Sequence, residues 1–231
     1  MPDEFKILID LDDHTLGELG EYYLYGFKGV EAKNGGGLPA VWFKTKKGDF
    51  GRQIEILWTE SYQAYWSDNE KITDKLKIKT SGAEDIKLSQ YFDVHDNGTA
   101  EVNGGGPIGQ VTIRNQGIKA RTCGISQKAP DGSFSPLCVF PLHGQSRDAI
   151  IPKLSVLLIF ESQLYETSTA FMQAFGKGLL IDLTNAPSGQ RQVAYDIDKS
   201  WNWYQKPWAS IINEEDPLDK ALITINTALK T

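Results

Sequence analysis

The fold class predicted by this sequence is all-β: two tandem, weakly similar β-sandwich domains with a short C-terminal helix. Three observations predict it. Short apolar runs recur along the chain, separated by Gly, Asn, Asp and Pro turn signals. The two longest runs, residues 53–67 (QIEILWTESYQAYWS) and 153–168 (KLSVLLIFESQLYETS), each reach a Glu-Ser pair, Glu60-Ser61 and Glu161-Ser162. Finally, three anchors repeat in the same order. Residues 26–41 lie over 124–139 at an offset of 98, Glu60-Ser61 over Glu161-Ser162 at 101, and 91–94 over 194–197 at 103. A unit of about 100 residues with several short strands is the size of a sandwich domain.

The elements follow in order. Residues 5–11 (FKILIDL) alternate, with Phe5, Ile7, Ile9 and Leu11 on one face of a strand. A polar turn over 12–20, a strand around 22–27, a Gly/Asn turn at 33–37 and a strand over 38–43 come next. The run 53–65 and strands at 76–80 and 88–94 complete the first half. The glycines of 103–106 before Pro107 read as a linker, so the expected domains are residues 1–98 and 107–205. The extension 206–231 ends differently. Leu218, Leu222, Ile225 and Leu229 make one stripe of a helix begun by Asp216-Pro217, although Ile223 and the threonines leave a strand open. Such a tail docks on its own body or, alternatively, covers a partner subunit in a homodimer.

Composition narrows the function classes. The chain has 231 residues, is 40% hydrophobic and carries a net charge of −6. That balance argues against nucleic acid, whose phosphates need a basic face. No run of about 18 apolar residues occurs, so no transmembrane helix is expected. The acidic start, MPDEFKILIDLDD, lacks the basic and apolar regions of a signal peptide, which makes a cytoplasmic location the expectation. Cys123 and Cys138 flank a turn at Ala129-Pro130-Asp131-Gly132; the pair fits either a cross-strand disulfide or two buried thiols.

Catalytic patterns are absent. His14, His95 and His143 are far apart, no Gly-x-Ser-x-Gly occurs, and 30 acids single out no carboxylate pair. The densest acidic cluster, Asp10, Asp12 and Asp13 with Glu18, places Asp10 and Asp12 on one side of a strand. It reads as a solvated, turn-capping cluster or as a site for calcium or magnesium. No enzyme is expected.

Aromatic groups are the remaining signal. Trp58, Tyr62 and Trp66 lie in the first long run; Trp201, Trp203 and Tyr204 follow the last strand of the second half. Such rings fill a core or form a site for a flat organic ligand. The paired stretches 26–41 with 124–139, and 90–95 with 193–198, resemble the pink chromoproteins of oyster mushrooms. The resemblance implies a small indolone-like chromophore held non-covalently, no catalysis and a dimer. The expected function is therefore non-enzymatic binding of a small aromatic or pigment-like molecule. The alternatives are a lectin-like carbohydrate-binding protein and a membrane-active cytolysin-type sandwich.

Overall fold

The structure is a computed structural model that describes residues 4–69 and 71–230. The first half of the chain forms β1 (Glu4–Leu11), α1 (Asp13–Glu18), β2 (Tyr23–Ala32), β3 (Leu38–Pro39), β4 (Val41–Lys44), β5 (Gln53–Thr59), β6 (Tyr62–Ser67), β7 (Gly82–Ile86), β8 (Gln90–Val94) and β9 (Ala100–Asn103). The second forms β10 (Val111–Asn115), β11 (Arg121–Lys128), β12 (Phe134–Pro136), β13 (Cys138–Leu142), β14 (Arg147–Glu161), β15 (Gly178–Asp182), β16 (Gln190–Asp196) and β17 (Ser200–Asn202). The tail adds β18 (Ala209–Ile212), α2 (Leu218–Leu222) and β19 (Ile223–Ile225). The fold is all-β, arranged in three sheets around a shared apolar core.

The pairings of the two halves correspond. β1 lies antiparallel to β5 and parallel to β16, while β10 lies antiparallel to β14 and parallel to β8. β6 sits between β7 and β11, as the C-terminal half of β14 sits between β15 and β2. β8 and β9 form a hairpin, as do β16 and β17.

This corrects the expected division into tandem sandwiches. β1 with β16, β8 with β10, β6 with β11 and β2 with β14 all pair across the boundary between residues 1–98 and 107–205. Two halves with the same set of strand edges can satisfy either their own edges or each other's. Apolar pattern does not distinguish the two solutions, because both bury the same faces.

The middle anchor also shifts. The break between β5 and β6 at Glu60-Ser61 corresponds in pairing to the irregularity between Pro152 and Val156 inside β14. It does not correspond to Glu161-Ser162 at that strand's end. The run 53–67 is thus two strands in two sheets, turned at Glu60-Ser61, the corner geometry by which strands change sheets.

β2 and β14 are apolar on both faces because both faces are covered. Leu24, Val30, Val156 and Leu158 enter the shared core. Tyr25, Phe27, Leu157 and Ile159 meet Phe171, Ala174, Leu218 and Leu222 on the other side. The tail is therefore spent on its own chain. The helix stops after five residues because β-branched Ile223, Thr224 and Ile225 extend and pair parallel with Val30–Ala32 of β2. Leu218 and Leu222 are buried as the helical stripe predicts, but Ile225 is exposed. The apolar face assigned to a homodimer is thus occupied within the chain.

The turn at 129–132 forms, with Ser133 Oγ and N both donating to Asp131 Oδ1. Cys123 is opposite Phe140 and Cys138 opposite Pro39, so the thiols are out of register and free. Burial pushes both upward, Cys138 to about 12.

The anchor glycines Gly26 and Gly124 both mark close approach. A Cβ at Gly26 would meet the Phe43 ring, and one at Gly124 would lie 2.2 Å from the Cys138 carbonyl oxygen. That oxygen also accepts from Tyr65 Oη at 2.5 Å. Gly124→Ala is expected to cost about 3 kcal/mol, because a backbone carbonyl cannot step aside as a side chain can. Urea denaturation checks it; an unchanged midpoint would show that the sheet yields there.

Candidate functional site

The β5–β6 corner builds the candidate site. Alternation along β5 turns Ile56 and Trp58 inward, and the turn at Ser61 brings Tyr62 to the same core from the next sheet. Ser61 N donates to Thr59 O and Lys128 N donates to Ser61 O, which ties the corner to the end of β11. Glu60 is left lining a cleft of about 910 Å³ between the corner, the end of β7 and the start of β8. Phe5, Tyr62, Ile86, Leu88 and Val102 are its apolar wall, and Asp85, Lys87 and Gln90 its polar rim.

Behind Glu60 stands Lys28. It lies on the core-facing side of β2, opposite Val156 and next to the irregularity in β14, and its side chain is 0% exposed. Its Nζ is 3.6 Å from Glu60 Oε1, an ion pair longer than a hydrogen bond. The ring centres of Trp58 and Trp42 lie 4.8 and 5.4 Å from the same nitrogen. The two indoles meet edge to face, at 5.5 Å and 84°, so they wall the ammonium on two sides. Glu60 Oε1 also accepts from Trp58 Nε1 at 3.2 Å and Gln127 Nε2 at 3.0 Å. Trp42 Nε1 donates to the Gln127 carbonyl.

Burial lowers the Lys28 ammonium to about 8, against the opposing pull of Glu60. Three buried polar atoms around the corner have no hydrogen-bond partner among the described residues: Lys28 Nζ, Tyr62 Oη and Gln127 Oε1. Gln127 and Tyr62 are opposite one another in the β6–β11 pairing, so these atoms belong to one locality. Unpaired buried polar atoms are uncommon in native folds, so each calls for a partner such as an ordered water or a bound polar group.

The aromatic residues singled out in the sequence divide. Tyr62 lines this cleft, and Trp58 lies behind it, stacked on Phe5 at 5.8 Å. Trp66, at the other end of β6, carries the Arg121 guanidinium over its ring at 3.9 Å. Trp201 is buried on β17 against Phe160 and Tyr195. Sheet order β17–β16–β1–β5 sets it three strand spacings, roughly 14 Å, from β5. Trp203 is partly buried beside the core, and Tyr204 is exposed. The six therefore form no common platform, because four of them are core residues whose rings fill the space between sheets.

The acidic cluster is also divided. Asp10 accepts from Gln53 and Gln192, Asp12 caps α1 through Thr15 N, and Asp13 pairs with Arg52. Among the described residues no three His, Cys, Asp or Glu side chains are grouped to hold a metal ion. This corrects the calcium or magnesium reading of Asp10, Asp12 and Asp13, whose carboxylates are held by separate partners.

Lys28 and Gln127 were missed. Lys28 did carry a signal, since alternation in YLYGFKGVEA places it on the apolar face of Leu24 and Val30. No protein-family model, curated protein or solved structure matches the chain.

A buried ammonium held below its ordinary range costs stability, because the unfolded chain binds that proton more tightly. The cost is complete below pH 8 and disappears as pH rises from about 8 to 10.5. Lys28→Met is therefore expected to stabilise the fold at pH 7 by about 1–3 kcal/mol, the gain shrinking toward pH 10.5. Urea midpoints of both proteins across that range check it; a destabilised variant at pH 7 would mean that the pair with Glu60 outweighs the burial.

Proposed function

We propose that this protein is a non-catalytic binder of a small organic molecule, held at the β5–β6 corner with a flat apolar body between Tyr62 and Leu88 and a polar head at Glu60. The observation that carries this reading is a cleft of ligand size lined by Tyr62 and by one oriented carboxylate, Glu60, which hydrogen-bonds Gln127 and pairs with Lys28, two residues with unpaired buried polar atoms outside the lining. A conjugated, pigment-like ligand suits the site, since Phe5, Tyr62 and the indole behind them offer a layered aromatic wall. The site is thus placed at one of the two aromatic groups rather than on a surface shared by both.

Native mass spectrometry of protein from its natural source, with an absorption spectrum, tests the reading. The expected result is an excess mass on the native chain and absorbance to the red of the tryptophan band. Leu88→Asp, on the exposed wall, is expected to weaken retention by about tenfold or more while leaving the fold intact, since it puts a charge against the apolar body. A bare chain mass and no uptake of neutral aromatic dyes by the cleft would end this proposal, and glycan-array and liposome-leakage assays would take its place.

A further inference from the structure

Lys28 is the buried group that simple binding does not account for. A hydrocarbon side chain would fill its place in the core without loss, yet an amine sits there with no hydrogen-bond partner. Glu60, 3.6 Å away, is the one carboxylate paired with it among the described residues and also lines the cleft. Glu60, whose side chain is 29% exposed, stands between the amine and the cleft, so a ligand reaches Nζ only where Glu60 swings aside.

We infer that Lys28 is a covalent attachment site for an aldehyde or ketone, joining the bound molecule to the chain as an imine whose cation is held by Glu60, Trp42 and Trp58. This rests on the reading of the cleft as a small-molecule site and assigns the polar head of its ligand.

The step is balanced. The Lys28 ammonium gives one proton to the Glu60 carboxylate; the neutral amine adds its lone pair to the carbonyl carbon, and a proton passes from the new ammonium nitrogen to the alkoxide oxygen to give a neutral carbinolamine. Glu60 returns its proton to that hydroxyl, which leaves as water while the nitrogen lone pair forms the C=N bond, so ammonium and carbonyl become a protonated imine and one water. No oxidant or reductant takes part. Each neighbour of Lys28 has a place in this scheme. Tyr62 lines the cleft, and its buried Oη has no hydrogen-bond partner among the described residues, which leaves it free to donate to the carbonyl oxygen. The protonated imine then occupies the position of the present ammonium, with the same two indole faces and the same carboxylate as counter-ion. The lowered proton affinity of Lys28 keeps a larger share of its amine neutral at pH 7 than in an exposed lysine. A conjugated carbonyl compound attached this way absorbs further to the red as its imine protonates, so Glu60 would also tune the colour of a bound pigment.

Reductive trapping tests the inference. The full chain is incubated at pH 7 with trans-cinnamaldehyde and sodium cyanoborohydride, digested and mapped, and binding of cinnamyl alcohol to the cleft is measured in parallel. The expected result is labelling of Lys28 at least about tenfold ahead of exposed lysines. In Lys28→Met and Lys28→Arg that label disappears while labelling of other lysines is unchanged and near-ultraviolet circular dichroism reports a native core. Two results overturn the inference and are distinguishable. If the alcohol binds the cleft but the aldehyde labels only exposed lysines, the imine is wrong and the binding site stands. If neither compound binds, the cleft reading fails and the imine with it.

Discussion

The pairing of β2 with β14 is the interaction on which the remaining architecture depends. It joins a strand from each half of the chain over nine residue pairs, interrupted once between Pro152 and Val156. Both strands are buried on both faces, so neither half can complete its core without the other. The outer face of this pair in turn requires the tail: α2 covers Tyr25 and Phe27, and β19 closes the open edge of β2. Unfolding of either half would expose β2 or β14 entirely, which predicts cooperative behaviour of the whole chain despite its internal correspondence.

The same pair sets the position of Lys28. The irregularity in β14 lies opposite residues 28–30 of β2, where Gly29 gives room for Ser155. A charged residue on the inner face of such a strand conflicts with every local rule of core formation. It survives because the environment is built around it, with two indoles, one carboxylate and a corner turn that carries Glu60 to the right depth. Conflicts of this kind concentrate at functional positions, where stability is given up for chemistry.

The correspondence between halves has a further consequence for the site. The corner at Glu60-Ser61 is matched by a continuous strand in the second half, so the second half does not form the same turn. β18 also pairs with β15 in the second half, whereas β7, its counterpart, has no such added strand. Among the described residues the cavity at the matching stretch of the second half is smaller and is lined by Lys153, Leu154, Ser155 and Trp208 instead.

Local pattern by itself determined the all-β class, the turns at 33–37 and 129–132, the two hairpins that contain them, and the inward face of β1, whereas the strand expected over 76–80 is only an isolated bridge at Lys77 and the turn expected over 12–20 holds α1. These depend on alternation and on turn residues, which act over a few neighbours and are legible in one dimension. Trp58 and Tyr62 were legible as candidates for the same reason. Tertiary structure alone decided which half completes which sheet, that residues 53–67 break into two strands, and that Trp201 stands apart from Trp58. It also decided that Asp10, Asp12 and Asp13 take separate partners. Such outcomes depend on contacts between residues up to 184 positions apart, as in the pairing of Ile9 with Val193. An apolar pattern states that a face must be buried and leaves open what buries it, and the partner of Lys28 belongs to that second kind of information.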